Sequence, residues 1–131
     1  MGNKPTLARL RKLRRVHALS LVALCKLLLD LSRLEYVLVW LNFHHDFANL
    51  EGRIWVFYDT TFSAMIVAQS AQFIALRVSH SCIGQEFIVI FVHAACDKDT
   101  RNDLWRELAL VCSNGLPVLI AGDFNVILAA D

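Results

Sequence analysis

Apolar positions recur along this chain with two different periods, and the changes of period mark its elements. Pro5 suits the first turn of a helix running to about His17. Leu7, Leu10, Leu13 and Val16 form its apolar stripe, with Arg and Lys side chains on the other face. Residues 19–25 are a short apolar run, the pattern of a buried strand. Ser32 is placed to cap a second helix carrying Leu34, Val37, Leu38 and Leu41 on its apolar side. Residues 42–49 read as an edge strand or loop. Gly52 then opens a strand over 53–58, rich in aromatic and β-branched residues. Two further strands are expected over 61–68 and 72–80, a turn over 82–85, and a buried strand over 86–94.

The last third is punctuated more sharply. A polar loop over 97–100 precedes Thr100-x-x-Asp103, a variant of the capping box. A helix follows with Leu104, Trp105, Leu108 and Val111 or Cys112 inward. Gly115 stops it and Pro117 prevents continuation. Residues 118–121 form a short strand, and Gly122-Asp123-Phe124-Asn125 is the turn at its end. Helices and strands intermingle without repeat or linker, so the pattern predicts one α/β unit.

Composition narrows the class. Hydrophobic residues make up 56% and charged residues 19% of the 131, against about 45–50% and about 25% in an ordinary soluble domain. So much apolar side chain excludes intrinsic disorder, and 5 Gly with 2 Pro exclude collagen-like chains. A membrane-spanning helix needs about 20 consecutive apolar residues. The run over 19–31 is broken by Ser20, Lys26 and Asp30, and the run over 87–96 is short and includes His93. No span is expected. The basic start followed by an apolar run imitates a signal peptide, but Lys26 splits that run and no small-x-small cleavage site follows.

Charge is unevenly distributed. The net charge is +1, yet residues 1–29 carry seven basic residues and no acid. An arm of this kind binds phosphates, addresses a mitochondrion, or is the solvated face of an amphipathic helix. The last is the expectation here, with nucleic-acid contact and targeting as alternatives. Cys25, Cys82, Cys96 and Cys112 include no C-x-x-C pair, so zinc has little support. Cys25, Cys96 and Cys112 lie in apolar stretches and are read as small hydrophobes. The chain has no N-x-[ST] site, and a reducing intracellular setting, nuclear or cytoplasmic, is expected.

The candidate chemistry sits at Gly122-Asp123-Phe124-Asn125. An apolar strand ends there, and ligands of open α/β sheets bind at strand carboxyl ends. Asp123 can orient or deprotonate a water, and Asn125 can donate to a phosphate oxygen. Both residues are also ordinary turn formers. His44-His45-Asp46 is not a good metal cluster, because adjacent strand side chains point to opposite faces. His17 and His80 carry no signal, and Trp40, Trp55 and Trp105 are expected in the core rather than as base-stacking platforms.

The segment Arg101-Asn-Asp-Leu-Trp-Arg-Glu-Leu108 followed by Pro117-Val-Leu-Ile-Ala-Gly-Asp-Phe-Asn125 resembles the endonuclease/exonuclease/phosphatase (DNase I-like) superfamily. It looks most like the endonuclease-type domain of plant non-LTR (LINE-like) retrotransposons. The likeness runs from Gly2-Asn3 to Asp131 and includes the strands beginning Gly52-Arg-Ile-Trp-Val and Phe87-Ile-Val-Ile-Phe-Val-His93. It implies a DNase I-like two-sheet sandwich flanked by helices, and a Mg²⁺-dependent phosphodiesterase acting on nucleic acid. By the resemblance, Asp123 aligns or activates the attacking water and Asn125 binds the scissile phosphate.

Departures from the family pattern set the functional expectation. The family's metal-binding Glu falls on Lys26, and its phosphate-contacting Tyr falls on His93. Mg²⁺ requires hard oxygen ligands. An ammonium about 4 Å away would instead repel it by about 2 kcal/mol in water-like surroundings and about 8 kcal/mol at an effective dielectric constant near 20. The opening Trp-Asn-x-Arg-Gly strand and the Ser-Asp-His segment of the family have no counterpart, so residues 1–131 are expected to be a partial domain lacking the first strand and the C-terminal part. The resulting expectation is a vestigial, catalytically silent endonuclease domain. It would bind no Mg²⁺, contact nucleic acid weakly, and self-associate through exposed strand edges. The alternatives are an active Mg²⁺-dependent nuclease or phosphatase, and an N-terminus that targets the chain or lies on a membrane surface.

Overall fold

The computed structural model describes residues 4–25 and 29–126, and of residues 4 and 5 the backbone only. Three helices, α1 (Lys4–His17), α2 (Leu34–Trp40, entered through a 3₁₀ turn, Leu31–Arg33) and α3 (Lys98–Cys112), accompany seven strands. The strands are β1 (Leu21–Cys25), β2 (His45–Ala48), β3 (Ile54–Tyr58), β4 (Phe62–Gln69), β5 (Phe73–His80), β6 (Phe87–His93) and β7 (Val118–Asp123). They form a three-stranded antiparallel sheet, β1-β3-β2, and a four-stranded sheet, β4-β5-β6-β7, whose last pair is parallel.

Strand alternation explains how the layers stack. In β3, Ile54 and Val56 join Ile74, Leu76, Val78 and Val89 in a cluster between the two sheets. Trp55 and Phe57 point the other way, onto Leu7, Val37, Leu41 and Phe43 under α1 and α2. On the far side, Phe73, Ala75, Ile88, Ile90 and Val92 pack with Leu104 and Leu108 of α3. Strands β3, β5 and β6 are therefore covered on both faces, which is why their sequences read as continuous apolar runs. The layer order is helix, sheet, sheet, helix. Among the described residues, no helix is long and apolar enough to cross a membrane.

Several local expectations need correction. Asp97, not Thr100, caps α3: its carboxylate accepts from the Thr100 backbone N–H at 2.9 Å and from the Thr100 hydroxyl at 2.7 Å. Ser32 does not cap α2, whose N-cap position is Arg33 with no side-chain bond; Asp30 caps the preceding 3₁₀ turn, accepting from Ser32 N–H at 3.2 Å. Residues 21–25 form an edge strand, half-buried throughout, rather than a buried one. In α1 only the first half of the stripe is used: Leu7 is buried, while Leu13 and Val16 are exposed. Trp105 is partly exposed, and Cys96 and Cys112 are exposed, so neither thiol behaves as a core hydrophobe. The four-residue turn from Asn49 to Gly52 and the strand β2 agree with the edge-strand reading of residues 42–49.

Candidate functional site

The parallel pairing of β6 and β7 builds the site. It sets His93 opposite Asp123, so both side chains lie on the same face of the sheet at the strands' carboxyl ends. The register continues one step further, as the Ala94 N–H donates to the Asp123 carbonyl at 2.8 Å. This close approach depends on Gly122. Its φ is +147°, and a Cβ there would lie 2.0 Å from the Val92 carbonyl oxygen, so no side chain fits.

After Asp123 the chain turns on its own side chains. The Asp123 carboxylate accepts from the Asn125 backbone N–H at 2.9 Å, an Asx turn. Asn125 takes the left-handed conformation, φ +48°, which Asn tolerates better than most residues. Its Nδ2 donates to the Ala94 carbonyl at 2.5 Å, which pins the carboxamide back onto β6. An amide nitrogen has two N–H groups, so one donor is committed to the fold. Phe124 lies flat against Trp105 of α3, with ring centroids 5.9 Å apart and planes 10° apart. The two halves of the sequence signature therefore touch, and Trp105 has a packing role outside the main core.

Two buried polar side chains, Gln72 and Asn49, which no sequence pattern marks, hold this end together. Gln72 at the start of β5 donates from Nε2 to the Thr100 carbonyl at 2.9 Å and accepts from Ala95 N–H at 2.8 Å. Its backbone carbonyl accepts from His93 N–H at 2.8 Å, so it ties β6 to the cap of α3. Asn49 accepts from the N–H groups of Arg53 and Ile54 and donates from Nδ2 to the carbonyls of Ser70 and Ala71, at 2.9–3.1 Å. It joins a turn of one sheet to a turn of the other. The only sequence hint was a polar residue beside a turn, which is too common to mark either.

Asp123, Phe124 and Asn125 line an open cleft of about 430 Å³ with Cys96, Gly122 and Val126. The structure thus brings Asp123 and Asn125 together and sets His93 beside them in register. Lys26 lies outside the described residues. Its neighbour Cys25 brings the end of β1 to this same end of the molecule, with Sγ 4.0 Å from the Val92 carbonyl oxygen. The donor set described here is one carboxylate, one carboxamide already bonded to Ala94, one imidazole and one exposed thiol. That set does not fit Mg²⁺, which wants several oxygen ligands in near-octahedral array. Among the described residues, no group of three His, Cys, Asp or Glu could hold a metal ion.

Comparison of the fold with solved structures points one way. The human Nocturnin catalytic domain superposes with a TM-score of 0.64 at 15% identity, covering 95% of this chain and 58% of its own. An endonuclease/exonuclease/phosphatase family protein from Bacteroides thetaiotaomicron gives 0.68 at 15% identity, with 91% and 54% covered. The fold is the DNase I-like sandwich. A mannosyl-6-phosphatase from the same bacterium gives 0.64 at 17% identity, with 92% and 56% covered. The chain thus spans a little over half the length of each of these structures. No protein-family model matches the sequence, and no curated protein matches it significantly.

Proposed function

We propose that this chain carries a vestigial endonuclease-type phosphodiesterase fold of retrotransposon origin that no longer cuts phosphodiester bonds, with nucleic acid as its partner. The observation that carries the reading is the pairing of His93 with Asp123, followed by the Asn125 turn, at the carboxyl end of a DNase I-like sheet. That is where the family's phosphate chemistry would be placed. Silence follows from charge and donor number. Asp123 is one carboxylate where Mg²⁺ needs several oxygen donors, and Lys26 takes the position of the metal-binding Glu. A Mg²⁺-supported plasmid-nicking assay tests this, with Asp123→Ala as control. The expected result is equal, background-level nicking by both proteins. Nicking by the wild type that Asp123→Ala abolishes would establish an active nuclease instead.

A further inference from the structure

A second cleft, of about 510 Å³, opens between the C-terminal half of α1 and the end of α2. It lies at the end of the three-stranded sheet where His45 pairs with Tyr58, the opposite end from Cys25 and Ile54 and hence from Asp123. Arg11, Lys12, Arg14 and Arg15 line it with Trp40 and Asn42, and no acidic residue does. Four cations in one concave lining make a strongly positive local field. The helix macrodipole accounts for some of this, since Arg14 and Arg15 in the last turn of α1 offset its negative end. It does not account for Arg11 and Lys12.

The cations are also pre-positioned. The Arg11 guanidinium lies 5.3 Å above the Trp40 ring, and that of Arg14 lies 4.0 Å above the Phe43 ring. Arg14 Nη2 donates to the Asn42 carbonyl at 2.9 Å. Tyr36 stacks on Trp40 at 6.3 Å, with the Arg33 guanidinium over Tyr36 at 4.7 Å. Arginines held on aromatic faces lose less side-chain freedom on binding an anion. Two donors in the lining, Arg14 Nε and Trp40 Nε1, are buried yet have no hydrogen-bond partner among the described residues. Both are closed to solvent, so the charge that the cleft presents comes from the cationic side chains lining it.

We infer that the α1–α2 cleft is a phosphate-binding groove that seats the backbone of a nucleic-acid strand, remote from the Asp123 end. A groove lined by several cations is the arrangement that tracks the backbone of such a strand. The inference rests on nucleic acid being the partner proposed above, but not on the state of the Asp123 site. The test is fluorescence anisotropy of a labelled single-stranded 12-mer with the full chain, across a salt series and without Mg²⁺. Four phosphate contacts give a log–log salt slope of about −2.8, so affinity falls about 50-fold between 50 and 200 mM salt. Lys12→Gln with Arg15→Gln, both at exposed positions, should halve the slope to about −1.4.

Binding that is absent or independent of salt would overturn both the groove and the nucleic-acid partner. Binding unchanged in the Lys12/Arg15 variant would overturn the groove alone and leave the partner standing at another surface. Association with phosphatidylserine vesicles but not with the 12-mer would overturn it in favour of a membrane-surface role for α1.

Discussion

At Gly122 the local geometry is unforgiving. Its φ and the 2.0 Å approach to the Val92 carbonyl admit no Cβ, so Gly122→Ala must push β7 away from β6 and carry Asp123 out of register with His93. A stability loss of about 2 kcal/mol or more is expected in urea unfolding, because overpacking and left-handed strain act together. A neutral Gly122→Ala would show that the strands do not meet as described. Asn49 makes a second sharp case. Asn49→Asp keeps the shape but turns an amide that donates to two carbonyls into an acceptor facing them. It should cost about 2–3 kcal/mol, whereas an exposed Asn at a turn would tolerate the change within about 0.5 kcal/mol. The glycine was legible in the sequence as part of a motif. Asn49 was not, because its partners at Ser70 and Ala71 are about twenty positions away and no local pattern encodes such a contact.

Among the elements, α3 and the turn after β7 act together. Leu104 is fully buried against the four-stranded sheet, and Trp105 covers Phe124. Leu104→Ala should cost about 2–5 kcal/mol. Trp105→Ala should cost less, the residue being 40% exposed, but should loosen the Asp123–Asn125 turn, read as faster amide exchange at Asn125. Equal exchange in the two proteins would remove the link between helix and turn. The cap of α3 gives a pH signature. The Thr100 hydroxyl and N–H hold the Asp97 carboxyl below its usual pKa. A depressed folded pKa contributes stability above the unfolded value, near 3.8, which is lost as pH falls through the folded value. Asp59, held low by Thr61 and Ser20 despite partial burial, acts in the same sense. Asp46 acts in the opposite sense: burial and the charge of Glu35 raise its pKa, so its contribution is present at low pH and lost as pH rises. Asp97→Asn keeps an oxygen cap without the charge. Its thermal midpoint should fall below the wild type's at pH 7, and the gap should close as pH falls below about 3.8 through the folded Asp97 value. A constant difference across that range would mean the charge plays no part.

Most elements were legible because their signals are local. Strands β3, β5 and β6 declare themselves by aromatic and β-branched runs, and α3 by periodicity with a glycine stop. The cap was misplaced by one turn because Asp97 and Thr100 both favour helix starts, and only the bonded geometry chooses between them. The half-use of the α1 stripe was invisible, since it depends on where α2 ends.

Over the whole molecule, the uncovered surface is uneven. One side of the four-stranded sheet ends in β7, where Leu119 and Ile120 are 59% and 38% exposed and, among the described residues, no strand pairs with the outer edge. An apolar edge strand of this kind invites pairing with another chain. We expect the isolated chain to associate with rising concentration in sedimentation, and Leu119→Lys with Ile120→Lys to shift it toward monomer. A monodisperse wild-type monomer with a cooperative thermal transition would contradict this.

On the function proposed above, a DNase I-like frame persists at the Asp123 end without a competent metal site. Calorimetric titration of Mg²⁺ into the wild type, Asp123→Ala and Lys26→Glu addresses it most directly. No saturable binding is expected in the first two at millimolar metal, and binding about tenfold or more tighter once the Lys26 charge is reversed. Micromolar Mg²⁺ binding by the wild type that disappears in Asp123→Ala would contradict it.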